Sequence, residues 1–162
     1  MIIPGSKVMQ EKYVSEIIGE SQLQPCGIDM TLKEVHAFED GGEIDFDNSK
    51  RRTSGTKKIE FEDGKVALPA GCYKILYNEY VSIPIDACAL GFPRSSLLRC
   101  GADVHCAVWD PGYQGRSESL LIVHNPKGIV LHRNAKVVQL IFVKLDGKPH
   151  AEYDGKYKGE NQ

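Results

Sequence analysis

The run Leu120-Leu121-Ile122-Val123-His124, closed by Asn125-Pro126-Lys127-Gly128 and followed by Val137-Val138-Gln139-Leu140-Ile141-Phe142-Val143-Lys144-Leu145, decides the fold class. Both apolar stretches have strand length, and a Pro/Gly turn signal separates them. Working outward, the same pattern recurs. Ile28 to Val35 alternates loosely, Ile59-Glu60-Phe61-Glu62 alternates cleanly, and Cys72 to Ile83 is rich in Tyr, Ile, Leu and Val. Asp63-Gly64, Pro69-Ala70-Gly71 and Asp146-Gly147 punctuate these runs. Only the N-terminus reads differently: Val8, Met9, Tyr13, Val14, Ile17 and Ile18 are spaced as on an amphipathic helix over residues 6–18, with Gly19 placed to stop it. Many short strands with Gly/Pro turns and one terminal helix predict an all-β barrel or sandwich.

The chain of 162 residues is long enough for one domain with a sizeable core, placed at residues 1–152. Residues 153–162 are polar and Gly-spaced, and read as a tail or mobile arm. Hydrophobic content of 41% and charge of 26% are ordinary for a globular protein, and the net charge of -2 offers no bulk attraction to nucleic acid. Five cysteines, an odd number without C-x-x-C spacing, argue against a zinc site or a disulfide framework and predict buried thiols in a reducing cytoplasm. No apolar run approaches the ~20 residues that span a bilayer, so no membrane segment is expected. The basic stretch between Asp45 and Lys58 reads as a solvated loop.

Two stretches carry the chemistry. Arg94-Ser95-Ser96-Leu97-Leu98-Arg99 places serines before a short helix expected to start at Leu97, flanked by guanidinium groups suited to phosphate oxygens. An ordinary helix cap with a salt bridge reads the same residues equally simply. Asp110-Pro111-Gly112-Tyr113-Gln114-Gly115 places a carboxylate between the apolar Val108-Trp109 and a Pro-Gly turn. There Asp110 is either a turn-forming residue or a base that accepts a proton from water. Tyr113 is either a half-buried strand tyrosine or a surface for a sugar or base. Asp29 enters an apolar strand, and Gln139 interrupts another; Gln139 faces outward, is satisfied in the core, or touches a ligand. Glycine-rich phosphate loops and zinc-deaminase spacing are missing.

Taken in order, Gly27-Ile28-Asp29-Met30, Pro93-Arg94-Ser95-Ser96-Leu97, Asp110-Pro111-Gly112-Tyr113-Gln114-Gly115 and Val137-Val138-Gln139-Leu140-Ile141-Phe142 resemble the successive motifs of the trimeric dUTPase and dCTP deaminase superfamily. The resemblance runs from about Gly27 to Phe142, and looks closest to an archaeal dUTPase-like branch. It implies a distorted jelly-roll β-barrel with a short N-terminal helix and a C-terminal arm. It also implies a homotrimer with sites between subunits, a nucleotide substrate, and no nucleic-acid or membrane partner.

The resemblance leaves two reactions to separate. The zinc-free deaminases of the superfamily use a glutamate three residues before an asparagine; counting back from Asn125 reaches Ile122, while Glu118 is too early by the count from the Asp turn. The implied activity is therefore dUTP hydrolysis to dUMP and pyrophosphate, with dCTP deamination, alone or combined, and a non-catalytic nucleotide-binding barrel as alternatives. On the family pattern Asp110 activates water, Ser95, Ser96 and Gln139 hold phosphates, Arg94 holds phosphate or fixes local geometry, Arg99 binds the substrate, and Tyr113 stacks on deoxyribose. Backbone groups of the 102–108 segment read uracil. Mg²⁺ is implied as cofactor, with Asp29 behind its waters. Tyr157 is the arm residue expected at the substrate, although the usual Gly-rich arm pattern is missing.

Overall fold

A computed structural model describes residues Met1–Gln162. In chain order the elements are β1 (Ile2–Ile3), α1 (Gly5–Gln10), β2 (Val14–Ser15), β3 (Leu23–Gln24), β4 (Gly27–Phe38), β5 (Thr56–Ile59), β6 (Lys65–Leu68), β7 (Gly71–Tyr77), β8 (Tyr80–Ser82), β9 (Ala87–Pro93), α2 (Ser95–Arg99), β10 (Ala102–His105), β11 (Gln114–Gly115), β12 (Glu118–Val123), β13 (Ile129–His132) and β14 (Lys136–Lys144). Nine strands form one curled antiparallel sheet along the path β1-β14-β4-β7-β12-β10, with β9 on β14 and both β3 and β5 on β4. Smaller sheets, β11-β8-β2 and β13-β6, complete a half-barrel. The expected all-β barrel architecture is borne out. No helix is long and apolar enough to cross a membrane.

The two runs that decided the fold class lie at its centre. Residues 119, 121 and 123 of β12 are buried while 118, 120 and 122 are less so, the period-2 alternation of a strand with one core face. Strand β14 pairs with β4 along one edge and with β9 along the other. Its Val138, Leu140 and Phe142 side chains are wholly buried, among 28 residues of one continuous core. Gly27 is required here by close approach: a Cβ at this position would meet the Leu140 carbonyl oxygen at 2.1 Å.

The helix predicted over 6–18 is shorter. It ends at Gln10, where Lys12 turns to φ +56 and the Tyr13 amide N–H bonds back to the Val8 carbonyl. Val14 then pairs with Val81 in an extended segment, and Tyr13 packs its ring 5.6 Å from that of Phe142. The apolar positions do meet the core, but the β-branched Val14, Ile17 and Ile18 favour extended backbone over another helical turn. Gly19 stops no helix; it is extended and precedes a single tight turn at Glu20–Gln22. Nor are the thiols buried as expected: Cys26, Cys72 and Cys100 are exposed and Cys88 and Cys106 half-buried.

Beneath the N-terminal segment lies a polar knot. Glu79 has no exposed surface, and it accepts hydrogen bonds from the Thr31 amide (2.9 Å), the Thr31 hydroxyl and Gln22 Nε2 (2.7 Å). Gln22 is itself fully used: its Nε2 also reaches the Asp29 carbonyl (2.8 Å), and its Oε1 accepts from the Ile18 and Gly19 amides. Burial raises the Glu79 pKa above the ordinary carboxyl value of 4.5, opposed by the hydrogen bonds from Thr31 and Gln22. A raised folded-state pKa means the stability Glu79 contributes is fully present below pH 4.5 and declines as pH rises through the folded value. Glu79→Ala, which strands buried donors, is expected to lower unfolding free energy by about 2–4 kcal/mol in urea melts at acidic pH, with a smaller deficit at pH 8.

Candidate active site

The residues singled out from the sequence fall into two groups. The first gathers on β4, β14 and the end of β9. Antiparallel pairing sets Asp29 opposite Gln139, and Gln139 opposite Phe92, so the three side chains share one face in a single row. Gln139 is half-buried between the buried Val138 and Leu140, which places it on the face away from the core. This excludes the satisfied core amide. Arg94 follows directly on β9, its amide N–H bonded to the Val137 carbonyl (3.0 Å).

Asp29 has no exposed surface. Its Oδ2 accepts hydrogen bonds from the Arg94 guanidinium and Gln24 Nε2 (3.0 Å), with Lys136 Nζ 3.9 Å away. Its Oδ1 is buried without a partner. The ordinary salt-bridge reading of Arg94 is therefore realised, and the pair joins β4 to the start of α2. That helix begins at Ser95 and not at Leu97, with Arg94 as N-cap and no side-chain cap. Ser95, Ser96 and Arg99 are exposed at its surface, so the serines are free of the capping role that offered the simplest alternative reading.

The second group surrounds the Asp-Pro-Gly turn. Trp109 and Ala89 exchange backbone hydrogen bonds (3.0 and 3.1 Å), which anchors the segment against β9. The Tyr113 amide N–H then bonds the Asp110 carbonyl (3.1 Å), and Gly112 sits at φ +85 in the third position of that turn. Pro at the second position and a positive-φ Gly at the third are the requirements of a type II turn. The turn leaves Asp110 exposed at the lip of a cavity of about 700 Å³ that Tyr113 and Tyr157 also line. None of Asp29, Arg94, Ser95, Ser96, Arg99 and Gln139 lines that cavity. A single chain thus keeps the base candidate and the anion-binding candidates apart.

Several cavity residues were not legible in the sequence. Part of the supposed solvated loop forms one wall: Glu43 and Arg52 pair across a hairpin that presents Ile44, Thr53 and Ser54. Glu118 lines the cavity in a 2.8 Å ion pair with Lys74, whereas Ile122, four residues further along β12, does not reach it. Ser117 and Glu160 also line it. Within the 102–108 segment, residues 102–105 are paired with β12, so only the irregular Ala107 and Val108 face the cavity. Tyr113 is 5% exposed, covered by the tail.

The tail is not a free arm here. Tyr153 N–H bonds the Pro111 carbonyl (2.7 Å), Gly159 N–H the Gln114 carbonyl (2.7 Å), and Arg116 N–H the Glu160 carbonyl (3.1 Å). Tyr153 stacks edge-on with Tyr113 at 5.7 Å and packs against the core, contrary to the reading of the last ten residues as a mobile arm. The Asp29–Arg94 pair generates a direct expectation. Arg94→Met leaves a buried carboxylate without its closest cation and is expected to cost about 3 kcal/mol in urea unfolding, with Arg94→Lys recovering part of the loss.

The family model described as dCTP deaminase-like matches residues 6–145. A probable deoxyuridine 5'-triphosphate nucleotidohydrolase of Methanosarcina mazei is 49% identical over 88% of this chain and 84% of its own length. The deoxyuridine 5'-triphosphate nucleotidohydrolase of Methanocaldococcus jannaschii is 40% identical over 86% of this chain and 89% of its own. Among solved structures, the 2'-deoxycytidine 5'-triphosphate deaminase of Agrobacterium tumefaciens shares the fold, with a TM-score of 0.62 at 18% identity over 87% of this chain and 47% of that one. Matched by the family model over most of its length, and close to half identical to archaeal relatives, the chain belongs to the dCTP deaminase-like family.

Proposed function

We propose that the chain is a dUTP diphosphatase, hydrolysing dUTP to dUMP and pyrophosphate. The observation that carries this reading is Asp110: an exposed carboxylate, held by a type II turn at the lip of a nucleotide-sized cavity. The archaeal relatives named for the same reaction support it. Asp110 takes a proton from a water as that water attacks the α-phosphorus in line; the bond to the bridging oxygen breaks and pyrophosphate leaves. Arg94, Ser95, Ser96, Arg99 and Gln139 hold the phosphates, and Tyr113 lies against the deoxyribose. Tyr157, at the cavity rim, contacts the nucleotide from the tail.

Because the phosphate-binding group does not line the Asp110 cavity, a complete site requires a second copy, and we place it between subunits of a homotrimer acting in the cytoplasm. The unpartnered Asp29 Oδ1 fits a metal-bound water, and no cluster of side chains able to hold a cation directly is present. Mg²⁺, carried mainly by the triphosphate and its own waters with Asp29 behind them, would offset charge developing on the phosphate oxygens. Glu118 is held by Lys74, and the position expected for a deaminating glutamate is Ile122.

Turnover of dUTP with Mg²⁺ tests the proposal. Asp110→Asn is expected to lower kcat by about 10²–10⁴-fold without loss of folded protein; undiminished hydrolysis would sink the mechanism. Incubation with dCTP is expected to release neither ammonia nor dUMP, and product analysis that finds either one reinstates deamination.

A further inference from the structure

Behind Tyr113 the buried polar atoms form one hydrogen-bonded chain. Trp109 Nε1 donates to Ser117 Oγ, the Ser117 and Tyr113 hydroxyls lie 3.2 Å apart, and the Tyr113 hydroxyl lies 2.7 Å from Glu160 Oε1. A phenol has one proton. The shorter contact, to a carboxylate, takes it, so Ser117 turns its own proton toward the Tyr113 oxygen and accepts the Trp109 N–H in return. Each donor then has one acceptor, in a site where Trp109, Ser117 and Tyr113 are all at most 5% exposed.

A second feature is built for the same contact. Gly115 has φ +151, and a Cβ there would lie 3.0 Å from the Tyr113 hydroxyl and 3.1 Å from the Glu160 amide nitrogen and carbonyl oxygen. The bare Cα leaves room for both. Glu160 is delivered by backbone, not by a loose side chain: it bridges Gly115 in parallel and clamps Arg116, while Asn161 Nδ2 bonds the Arg116 carbonyl (3.0 Å). All four members of the chain line the cavity shared with Asp110.

We propose that Ser117 and Glu160 are positioning residues that hold the Tyr113 ring against the sugar, and through it set the preference for deoxyribose over ribose. The inference rests on the dUTP reading. A ring discriminates against one extra hydroxyl only if it cannot yield, and a displacement of about 1 Å is enough to spoil such a fit. Packing against Tyr153 and the core restrains the ring; the hydroxyl, tied on both sides, restrains the remaining swing. The tail therefore contributes an acid behind the tyrosine.

The test compares kcat/KM for dUTP and UTP across the wild type, Ser117→Ala, Ser117→Thr, Glu160→Ala and Glu160→Gln. Both alanine variants are expected to lower the dUTP/UTP ratio by about tenfold, the worth of one buried hydrogen bond, while Thr and Gln, which keep a hydroxyl and an acceptor oxygen, retain it. An unchanged ratio, or equal losses on both nucleotides, overturns the role. Chymotryptic cleavage after Tyr153 and Tyr157 reads the contact without substrate: Glu160→Ala is expected to be cut faster than Glu160→Gln, and equal rates overturn the hydrogen-bonded chain. A wild type inactive on dUTP overturns the functional reading and the sugar role together, while the cleavage assay still decides the contact.

Discussion

The pairing of β14 with β4 on one edge and β9 on the other is the constraint from which the rest of the molecule follows. It brings Asp29, Gln139 and Phe92 into one row, and Arg94 emerges from the end of that row to neutralise Asp29. A carboxylate with no solvent contact is tolerable only with such partners, so the ion pair fixes the end of β9 and the start of α2 relative to β4. The exposed Ser95 and Ser96 are thereby carried on a rigid mount. Behind the same strand, Gln22 and Glu79 tie the Asp29 and Thr31 backbone to the N-terminal segment, so the strand is held from both sides.

Nearer its start, β9 anchors the Asp110 turn. Ala89 pins Trp109, Trp109 sets the turn that exposes Asp110, and the turn is strapped in place by the tail from Tyr153 to Asn161. Strand β9 is thus the shared frame: it leads directly into Arg94 and the serines of α2, and nearer its start it anchors the segment that carries Asp110. On the reading proposed above, two copies are needed because the two groups do not share a cavity within one chain.

Much of this was legible in the sequence. The strands around 120–123 and 137–144 announced themselves by apolar length and turn signals, and the Asp-Pro-Gly turn by its residue types. Other features were set by long-range contacts. The apolar spacing around Val8 and Tyr13 fits a helix, yet the register against Val81 and Phe142 draws Val14 into a strand. The polarity of Arg52, Thr53 and Ser54 fits a solvated loop, and Arg52 and Thr53 are exposed, but the three also wall a cavity that only the folded hairpin creates. Glu118 looked too early when counted from Asp110, yet both line the same cavity. Glu160 lay in a tail whose composition contains nothing to foretell a buried partner.

The central claim is that Asp110 of one copy works with the phosphate-binding residues of another. Subunit mixing tests it most directly: Asp110→Asn and the double variant Ser95→Ala/Ser96→Ala, each impaired alone, are unfolded together, refolded and assayed on dUTP with Mg²⁺. Shared sites predict that the mixture hydrolyses dUTP several-fold faster than the average of the two variants, because some interfaces combine an intact Asp110 with intact serines. A mixture no faster than that average would show each site to be complete within one chain, and would contradict the account.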